Sequence, residues 1–280
     1  MPRRGNSPRA AAGLLLLLAA LNALAGCDPG SAVPRQGGED PAQSGPCPGP
    51  PPPPDAAPPA LGLMSSLPLT WPIDADMQAI LGGADPMTWQ RLAIGQCYTP
   101  VPLDTLSPSD ASAPEDIAKG PLAELDRLAI IQPRGLSPAD NVALDAWVRG
   151  GGRLLLALDP ALTGHYDLPL GDPRRPADSA LIPPVVARWG LAVRFDEDQE
   201  AAVEERALAG AALPLALAGE VTITDPAAAQ CALRAGGAAA WCRVGEGSVT
   251  LIADAALFEH PGLAGEGGAR LRDVLAEAVG

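Results

Sequence analysis

The chain has 280 residues, and its 33 Asp and Glu against 19 Lys and Arg give a formal net charge of −14. A surface this acidic repels phosphate backbones, so the charge excludes nucleic acid as the main partner. Aromatic residues make up only 3% of the chain, which leaves few platforms for stacking bases or sugars.

The first 26 residues have the composition of a secretory leader. Arginines at positions 3, 4 and 9 precede an apolar run over 10–25, which is short for a bilayer span. The run ends in Leu24-Ala25-Gly26-Cys27, which resembles the lipobox of bacterial lipoproteins. This resemblance implies that residues 1–26 are removed and that Cys27 is acylated. An ordinary signal peptide with a chance cysteine is the alternative.

An acylated Cys27 places the protein in the cell envelope, held to a membrane by its lipid and facing the periplasm. Asp28, directly after the cysteine, resembles a signal for retention on the inner membrane, which we therefore favour. Residues 27–60 follow as a proline-rich segment that contains an unbroken run over 50–54. Such a segment cannot bury enough apolar surface to offset its ordering entropy, so we expect a disordered tether.

Residues 61–280 have the length of one domain, and their clearest pattern lies between 125 and 159. The run 125–131 predicts a strand, and Ser137-Pro138-Ala139-Asp140 predicts a capped helix start. The helix is predicted to bury Val142, Ala143, Ala146 and Trp147, and to end at the glycines 150–152. The apolar run 154–158 predicts a central strand, so the unit is a right-handed strand–helix–strand crossover.

Weaker patterns in the rest of the domain are consistent with the same fold class. They predict an α/β domain with a mostly parallel sheet flanked by helices. The further strands are expected at 61–67, 191–195, 221–224 and 249–253, and the further helices at 77–81, 89–92, 185–189 and 271–279.

After Cys27 is acylated, an even number of cysteines remains, which suits disulfides in an oxidising compartment. Cys231 and Cys242 flank a short Ala/Gly-rich segment that suits a hairpin, so we predict a disulfide between them. A bond between Cys47 and Cys97 is left open, because Cys47 lies in the predicted tether.

Ligands of an open parallel sheet bind beyond the carboxyl ends of its strands. The candidate ligand-binding residues at that rim are Ser65, Ser66, Gln132, Arg134, Asp159, His165 and Asp254. Two of them, Asp159 and Asp254, form a possible acid–base or metal pair, with His165 or His260 as a further ligand. The alternative is that both aspartates cap the turns that follow their strands.

The sequence contains no motif for a serine nucleophile or for a phosphate-binding loop. Neither Ser65 nor Ser66 lies in a G-x-S-x-G elbow, so no catalytic residue is predicted. The glycines 150–152 end a helix, whereas a phosphate loop needs glycines at a helix start. No cofactor and no resident metal are therefore expected.

Several segments resemble the auxiliary domain of gliding-motility-type ABC transport systems. They are Met64-Ser65-Ser66-Leu67, Gln132-Pro133-Arg134-Gly135-Leu136-Ser137, Val148-Arg149-Gly150-Gly151-Gly152, Leu158-Asp159-Pro160, Arg188-Trp189-Gly190-Leu191 and the strand 245–254. The resemblance implies a class I glutamine-amidotransferase-like, or flavodoxin-like, fold. No residue matches that fold's catalytic Cys–His–Glu set.

The resemblance predicts a lipid-anchored, non-enzymatic accessory or ligand-binding component of an ABC transport system, in contact with permease or ATPase subunits. Two alternatives remain open: a metal-dependent hydrolase that uses Asp159, Asp254 and His165, and a structural envelope lipoprotein. A stoichiometric divalent ion in the purified protein would favour the hydrolase.

Overall fold

The computed structural model describes residues 47–48, 56–108 and 120–280. The predicted leader, the acylation site Cys27 and most of the predicted tether lie outside these ranges, as does Lys119. Within the ranges, the helices are all too short or too polar to cross a bilayer.

Strands and helices alternate in the first half of the described chain, and strands dominate the second half. The first half contains β1 (Ala60–Ser65), α1 (Met77–Leu81), α2 (Trp89–Gly95), β2 (Thr99–Pro102), β3 (Arg127–Ile131), α3 (Pro138–Arg149) and β4 (Arg153–Ala157). The second half contains α4 (Pro184–Arg188), β5 (Leu191–Arg194), β6 (Val203–Leu208), β7 (Ala211–Ala216), β8 (Glu220–Ile223), β9 (Gln230–Arg234), β10 (Ala239–Val244), β11 (Gly247–Ile252), α5 (Ala256–Glu259) and α6 (Ala269–Val279).

The described strands form one large sheet and two small ones. The large sheet has seven strands in the order β2-β1-β3-β4-β11-β10-β9. Its first five strands run parallel, and β10 and β9 continue it as antiparallel strands. The small sheets are the antiparallel pairs β5–β8 and β6–β7.

This topology corrects the predicted fold class. Among the strand pairings of the described residues, four are parallel and four are antiparallel. The sheet system is therefore mixed, and a mostly parallel, flavodoxin-like arrangement is wrong. Antiparallel pairing arises because β9, β10 and β11 follow one another through short turns, which reverse the chain.

The crossover unit β3–α3–β4 is confirmed. The hydroxyl of Ser137 accepts the backbone N–H of Asp140 at 3.0 Å, and Asp140 Oδ2 accepts the N–H of Ser137 at 3.2 Å, which completes a capping box. Strands β3 and β4 pair in parallel, and β4 is buried on both faces.

The predicted buried face of α3 is wrong for Val142 and Ala146, whereas Ala143 is buried and Trp147 packs against the core, as predicted. Val142 is 60% exposed and Ala146 is also exposed, whereas Ala143, Leu144 and Val148 are buried. Both sets have three- and four-residue spacing, so the spacing alone does not decide which of them faces the sheet. Packing against the sheet and against α4 settles the rotation of the helix.

The core has one layer on each face of the large sheet. On one face α2, α6 and the β6–β7 hairpin cover the side chains of Leu155 and Ile252. On the other face α3, α4 and the β5–β8 pair cover Leu154 and Leu156. The sheet thus separates the two small strand pairs, which border the sites described below.

Two disulfides join described cysteines. Cys231 is bonded to Cys242 across the neighbouring strands β9 and β10, and these residues are the pair that the sequence singles out. Cys47 is bonded to Cys97, which follows α2. The second bond ties a residue of the predicted tether to the folded domain.

Candidate functional site

The predicted rim residues Ser65, Ser66 and Gln132 are occupied with one another and with the backbone. Ser65 Oγ donates to the carbonyl of Ile131 at 2.7 Å, and Ser66 Oγ donates to the carbonyl of Gln132. Gln132 is fully buried, with its backbone at a left-handed φ of 45°. Its side-chain amide both accepts the Asp159 N–H at 2.8 Å and donates to the Asp159 carbonyl at 3.0 Å. These bonds tie together the carboxyl ends of β1, β3 and β4.

Asp159 and Asp254 follow the neighbouring parallel strands β4 and β11 and are 0% and 2% exposed. All four of their carboxylate oxygens accept backbone N–H groups. Asp159 accepts from Ala161 at 2.8 Å and from Ala255 at 2.9 Å. Asp254 accepts from Ala216 and from Ala256, both at 2.7 Å. The pair therefore organises the loops beyond two strands.

The two carboxyl groups resist ionisation. Burial raises the pKa of Asp159 to about 6, against the lowering effect of its two backbone hydrogen bonds. Burial together with the negative charge of Asp159 raises the pKa of Asp254 to about 8. The pair is coupled, because a charge on one carboxylate opposes a charge on the other.

Residues 160–183 close the crevice beyond the strand ends. Glu259 holds this segment, since its carboxylate accepts the Tyr166 hydroxyl at 2.7 Å and the N–H groups of Thr163 and Gly164 at 3.2 and 3.1 Å. Burial and the Glu259 carboxylate raise the pKa of Tyr166. Thr163 Oγ1 also lies 2.9 Å from His260 Nε2. The strand ends are thereby covered by protein.

Arg134 and His165 lie apart from this network, and both are exposed. Of the seven predicted rim residues, the structure thus brings together Ser65, Ser66, Gln132, Asp159 and Asp254 and leaves Arg134 and His165 outside. In the described ranges, no three His, Cys, Asp or Glu side chains form a group that could hold a metal ion. The hypothesis of a metal held by Asp159, Asp254 and His165 is therefore wrong.

An open cleft lies beside the small strand pairs, on residues that the sequence patterns did not single out. It has a volume of about 640 Å³. Its walls come from the end of β5 and the loop after it, from the β6–β7 hairpin with residues 217–220, and from the 3-10 turn Ala235–Gly237 between β9 and β10. We call it the β5–β7 cleft.

The β5–β7 cleft carries charges of both signs. Its ionisable side chains are all exposed and comprise two arginines and four carboxylates: Arg194, Arg206, Asp196, Glu200, Glu204 and Glu220. Arg206 is paired with Glu204. Gln199 donates from its amide to the carbonyls of Asp196 and Ala218, at 2.9 and 3.2 Å, and so fixes the loop after β5. The cleft therefore offers both hydrogen-bond donors and acceptors.

Unusual backbone conformations shape the walls of the cleft. Leu217 and Ala235 adopt left-handed φ angles of 58° and 50°, which are costly for residues with a side chain. Gly219 is needed for close approach, because an added Cβ would lie 2.8 Å from the Arg194 carbonyl oxygen. Strained residues of this kind cluster at ligand sites, so this geometry makes the cleft the candidate functional site.

Asp254 holds the backbone next to the cleft wall. Ala216, whose N–H is held by Asp254, lies between Leu215 and Leu217 on the cleft wall. Gly219 donates its N–H to the carbonyl of Ala253, one residue before Asp254, at 2.7 Å. The end of β11 thus positions one side of the cleft.

One sequence signal for this site was available. Residues 194–206 read RFDEDQEAAVEER, a charged run that spans the end of β5, the following loop and β6. Such a run is ordinarily a solvated surface, and only the packing of residues 217–220 and 235–238 against it makes it concave.

No protein-family model matches the chain. No curated protein matches it in sequence. The solved structures that it resembles include an exo-β-1,4-mannosidase from Opitutaceae bacterium strain TAV5, with 13% identity and a TM-score of 0.43 over 80% of this chain. They also include β-galactosidases from Rahnella sp. R3 (11% identity, TM-score 0.39) and from Bacillus circulans sp. alkalophilus (8% identity, TM-score 0.40), each over 70% of this chain.

The chain spans 36% of the mannosidase and 28% of each galactosidase. These findings contradict the expected kinship with an ABC transport auxiliary domain and its glutamine-amidotransferase-like fold, because the structures found are glycosidases. The expectation of a non-enzymatic transport accessory is wrong on the same ground, and neither the metal-dependent hydrolase nor the structural lipoprotein matches these neighbours. A likeness at this TM-score and identity transfers neither a fold nor an activity to this chain.

Proposed function

We propose that the domain recognises a polyhydroxylated ligand, an oligosaccharide, in the β5–β7 cleft. The observation that carries the proposal is the mixed set of two guanidinium groups and four carboxylates around one open cavity. Sugar hydroxyls both donate and accept hydrogen bonds, so they suit a wall that contains both donors and acceptors. Hydrogen bonds in which one partner is charged are also the stronger ones.

The charges disfavour anionic ligands, because a multivalent anion would face Asp196, Glu200 and Glu220. A neutral polyol meets no such repulsion. The half-buried ring of Phe195 also lines the cleft and supplies an apolar surface for the C–H face of a sugar. A volume of about 640 Å³ lies within the range of small-molecule sites, roughly 300–1,000 Å³.

Glycoside hydrolysis at the same cleft is a second candidate, favoured by its carboxylates. Glycosidases commonly use two carboxyl groups on either side of the scissile bond. Glu204 is paired with Arg206, which leaves Asp196, Glu200 and Glu220 without an ion pair to any described residue. Hydrolysis would require the same bound oligosaccharide and would add the cleavage of a glycosidic bond.

Isothermal titration calorimetry with mannotetraose, galactotetraose and cellotetraose tests the proposal. We expect saturable binding of at least one of them, weakened about tenfold or more in Glu220→Gln and in Arg194→Gln. The matched control is Glu246→Gln, an exposed carboxylate in the β10–β11 turn away from the cleft. Chromatography of the same mixtures after incubation tests hydrolysis. Absence of binding to every tetrasaccharide, or equal binding by the cleft variants, would contradict the proposal.

We further propose that this recognition takes place outside the cytoplasm, with acylated Cys27 holding the domain to a membrane. The disulfides support an oxidising compartment, because stable disulfides are rare in the cytosol. Fractionation of cells that express the full chain tests this location. Wild-type protein is expected with membranes and Cys27→Ser in the soluble periplasmic fraction. Cytoplasmic, unprocessed wild-type protein would contradict it.

A further inference from the structure

A second, smaller cavity lies on the α6 side of the large sheet, near its β9 edge. It has a volume of about 200 Å³ and is lined by Leu208, Ala209, Arg234, Trp241, Thr250 and Glu277. Trp241 and Thr250 are direct partners across β10 and β11, so their side chains lie on one face of the sheet. Leu208 and Ala209 come from the β6–β7 hairpin and Glu277 from α6. We call it the Trp241 pocket.

Thr250 carries the observation that points to a ligand. It is 2% exposed, and its Oγ1 has no hydrogen-bond partner among the described residues. A hydroxyl removed from water without a partner costs roughly 1–3 kcal/mol. Buried polar groups in native proteins are nearly always satisfied, by protein, by water or by a bound molecule. Thr250 lines the pocket, but its Oγ1 is itself shielded from solvent, so a molecule seated there reaches this hydroxyl only after a rotation of the Thr250 side chain.

The other lining residues define the chemistry of that molecule. Arg234 and Glu277 place one positive and one negative group at the pocket, and neither is ion-paired with a described residue. A guanidinium group binds a carboxylate in a bidentate manner, and a carboxylate binds an ammonium group. Trp241, which is 37% exposed, and the buried Leu208 provide an apolar wall. The lining thus suits a small zwitterion with an apolar portion.

The size of the cavity narrows the class further. A volume of about 200 Å³ lies below the roughly 300–1,000 Å³ of drug-sized ligand sites. It therefore suits a ligand as small as one amino acid. We propose that the Trp241 pocket binds a free α-amino acid with an apolar side chain, its carboxylate at Arg234, its ammonium group at Glu277 and its side chain against Trp241 and Leu208.

This proposal is independent of saccharide recognition, because the β5–β7 cleft and the Trp241 pocket share no lining residue. Calorimetric titration of the purified, disulfide-intact protein with L-leucine tests it. Two analogues separate the contacts: 3-methylbutylamine lacks the carboxylate, and 4-methylpentanoate lacks the ammonium group. We expect saturable leucine binding and at least tenfold weaker binding of both analogues. The dipeptide Leu-Leu, which separates the two charges, is also expected to bind at least tenfold more weakly.

Substitutions of the lining residues test whether leucine binds in the Trp241 pocket. Thr250→Val keeps the shape of the side chain and removes the hydroxyl, so leucine binding is expected to weaken about three- to tenfold while thermal stability is kept or rises. Arg234→Gln is expected to abolish the preference for leucine over 3-methylbutylamine. The matched control, Arg243→Gln, changes an exposed arginine of β10 that does not line the pocket, and should bind as wild type.

Three results would each overturn the proposal. The first is the absence of saturable leucine binding by the folded wild-type protein. The second is leucine binding as tight as that of the wild type in both single variants, Thr250→Val and Arg234→Gln. The third is tighter binding of Leu-Leu than of leucine, which would assign a peptide terminus instead. If Glu220→Gln loses tetrasaccharide binding but keeps leucine binding, the β5–β7 cleft and the Trp241 pocket bind their ligands independently.

Discussion

The carboxylate of Asp254 accepts the backbone N–H of Ala216 at 2.7 Å and so joins the end of β11 to the strand that borders the β5–β7 cleft. Asp159 stands beside it at the end of β4 and accepts the N–H of the next residue, Ala255, at 2.9 Å. Two carboxyl groups that resist ionisation therefore hold the backbone behind the cleft. The pH-dependence of stability follows from this arrangement.

We predict that the protein is more stable at pH 5 than at pH 8. The folded-state pKa values, about 6 for Asp159 and about 8 for Asp254, lie above the roughly 3.9 of an unfolded chain. Between these values the folded state binds more protons than the unfolded state, so stability is present at low pH and is lost as the pH rises through the folded pKa values. Urea unfolding is expected to give a free energy about 5 kcal/mol lower at pH 8, because Asp159 contributes over about one pH unit and Asp254 over about three, at about 1.4 kcal/mol per unit.

The variant Asp254→Asn tests the assignment, because it removes the group with the higher pKa. We expect a flatter dependence of the unfolding free energy on pH between 5 and 8, although the amide accepts fewer N–H groups and lowers stability at pH 5. Asp167→Asn, at an exposed position, is the control. A slope in Asp254→Asn equal to that of the wild type would refute the role of the pair.

Asp140 is predicted to be the most costly carboxylate to replace near α3. Besides its capping bonds, its Oδ1 accepts from Thr105 Oγ1 and from the N–H groups of Leu106 and Ser107, at 2.8–2.9 Å. Burial opposes its ionisation, but these bonds and the one from Ser137 together hold its pKa below the ordinary range. We expect Asp140→Asn to lower the unfolding free energy at pH 7 by about 2–4 kcal/mol.

Urea unfolding measures this change, with Asp104→Asn, an exposed position in the same connection, as the control. The contribution of Asp140 disappears only at pH values below the ordinary aspartate range, since its folded pKa is lowered. It therefore does not overlap the window of the Asp159–Asp254 pair. A loss below about 0.5 kcal/mol would mean that water replaces these bonds without cost.

Gly247, at the start of β11, is predicted to tolerate no side chain. A Cβ at this position would overlap the carbonyl oxygens of Val148 and Gly152, which are backbone atoms and cannot rotate away. Gly247→Ala is expected to cost more than about 2 kcal/mol by thermal or urea unfolding. Gly262→Ala is the matched control, because nothing lies within 4 Å of the added atom. Equal stability of the two variants would be inconsistent with the packing of α3 against β11.

The two disulfides are predicted to differ in their contribution to stability. The Cys47–Cys97 bond closes a sequence separation of 50 residues and the Cys231–Cys242 bond one of 11. In the chain-entropy account, the longer loop gives about 4 kcal/mol and the shorter about 3 kcal/mol. Unfolding of the paired variants Cys47→Ala/Cys97→Ala and Cys231→Ala/Cys242→Ala checks the order. A larger loss in the second pair would show that packing of the buried Cys242 outweighs the loop term.

The strongest local patterns predicted their elements well. Ser137 and Asp140 cap α3, and the apolar run 154–158 covers the central strand β4. The β6–β7 hairpin was missed, because β6 reads VEERAL and five of its six residues are exposed, so it has no alternating pattern. The hairpin predicted between Cys231 and Cys242 is present as the antiparallel pair β9–β10, but the turn residues around 235–238 do not show which sheet these strands join.

The candidate site was harder to predict, for a physical reason. The strand-end rule placed Gln132, Asp159 and Asp254 together, and they are together, but residues 160–183 and 255–256 occupy their hydrogen-bonding groups. Closure by an irregular loop, part of which bonds a residue 45 positions away, leaves no local signal in the sequence. The β5–β7 cleft likewise forms only where segments far apart in sequence meet, such as 194–206 and 235–238.

Calorimetric titration of the wild-type protein and Glu220→Gln with the three tetrasaccharides tests the central claim most directly. The account predicts saturable binding of at least one sugar to the wild type, about tenfold or more weaker binding to Glu220→Gln, and wild-type affinity in Glu246→Gln. Heat signals no larger than those of dilution for every sugar, with a folded wild-type protein, would contradict it.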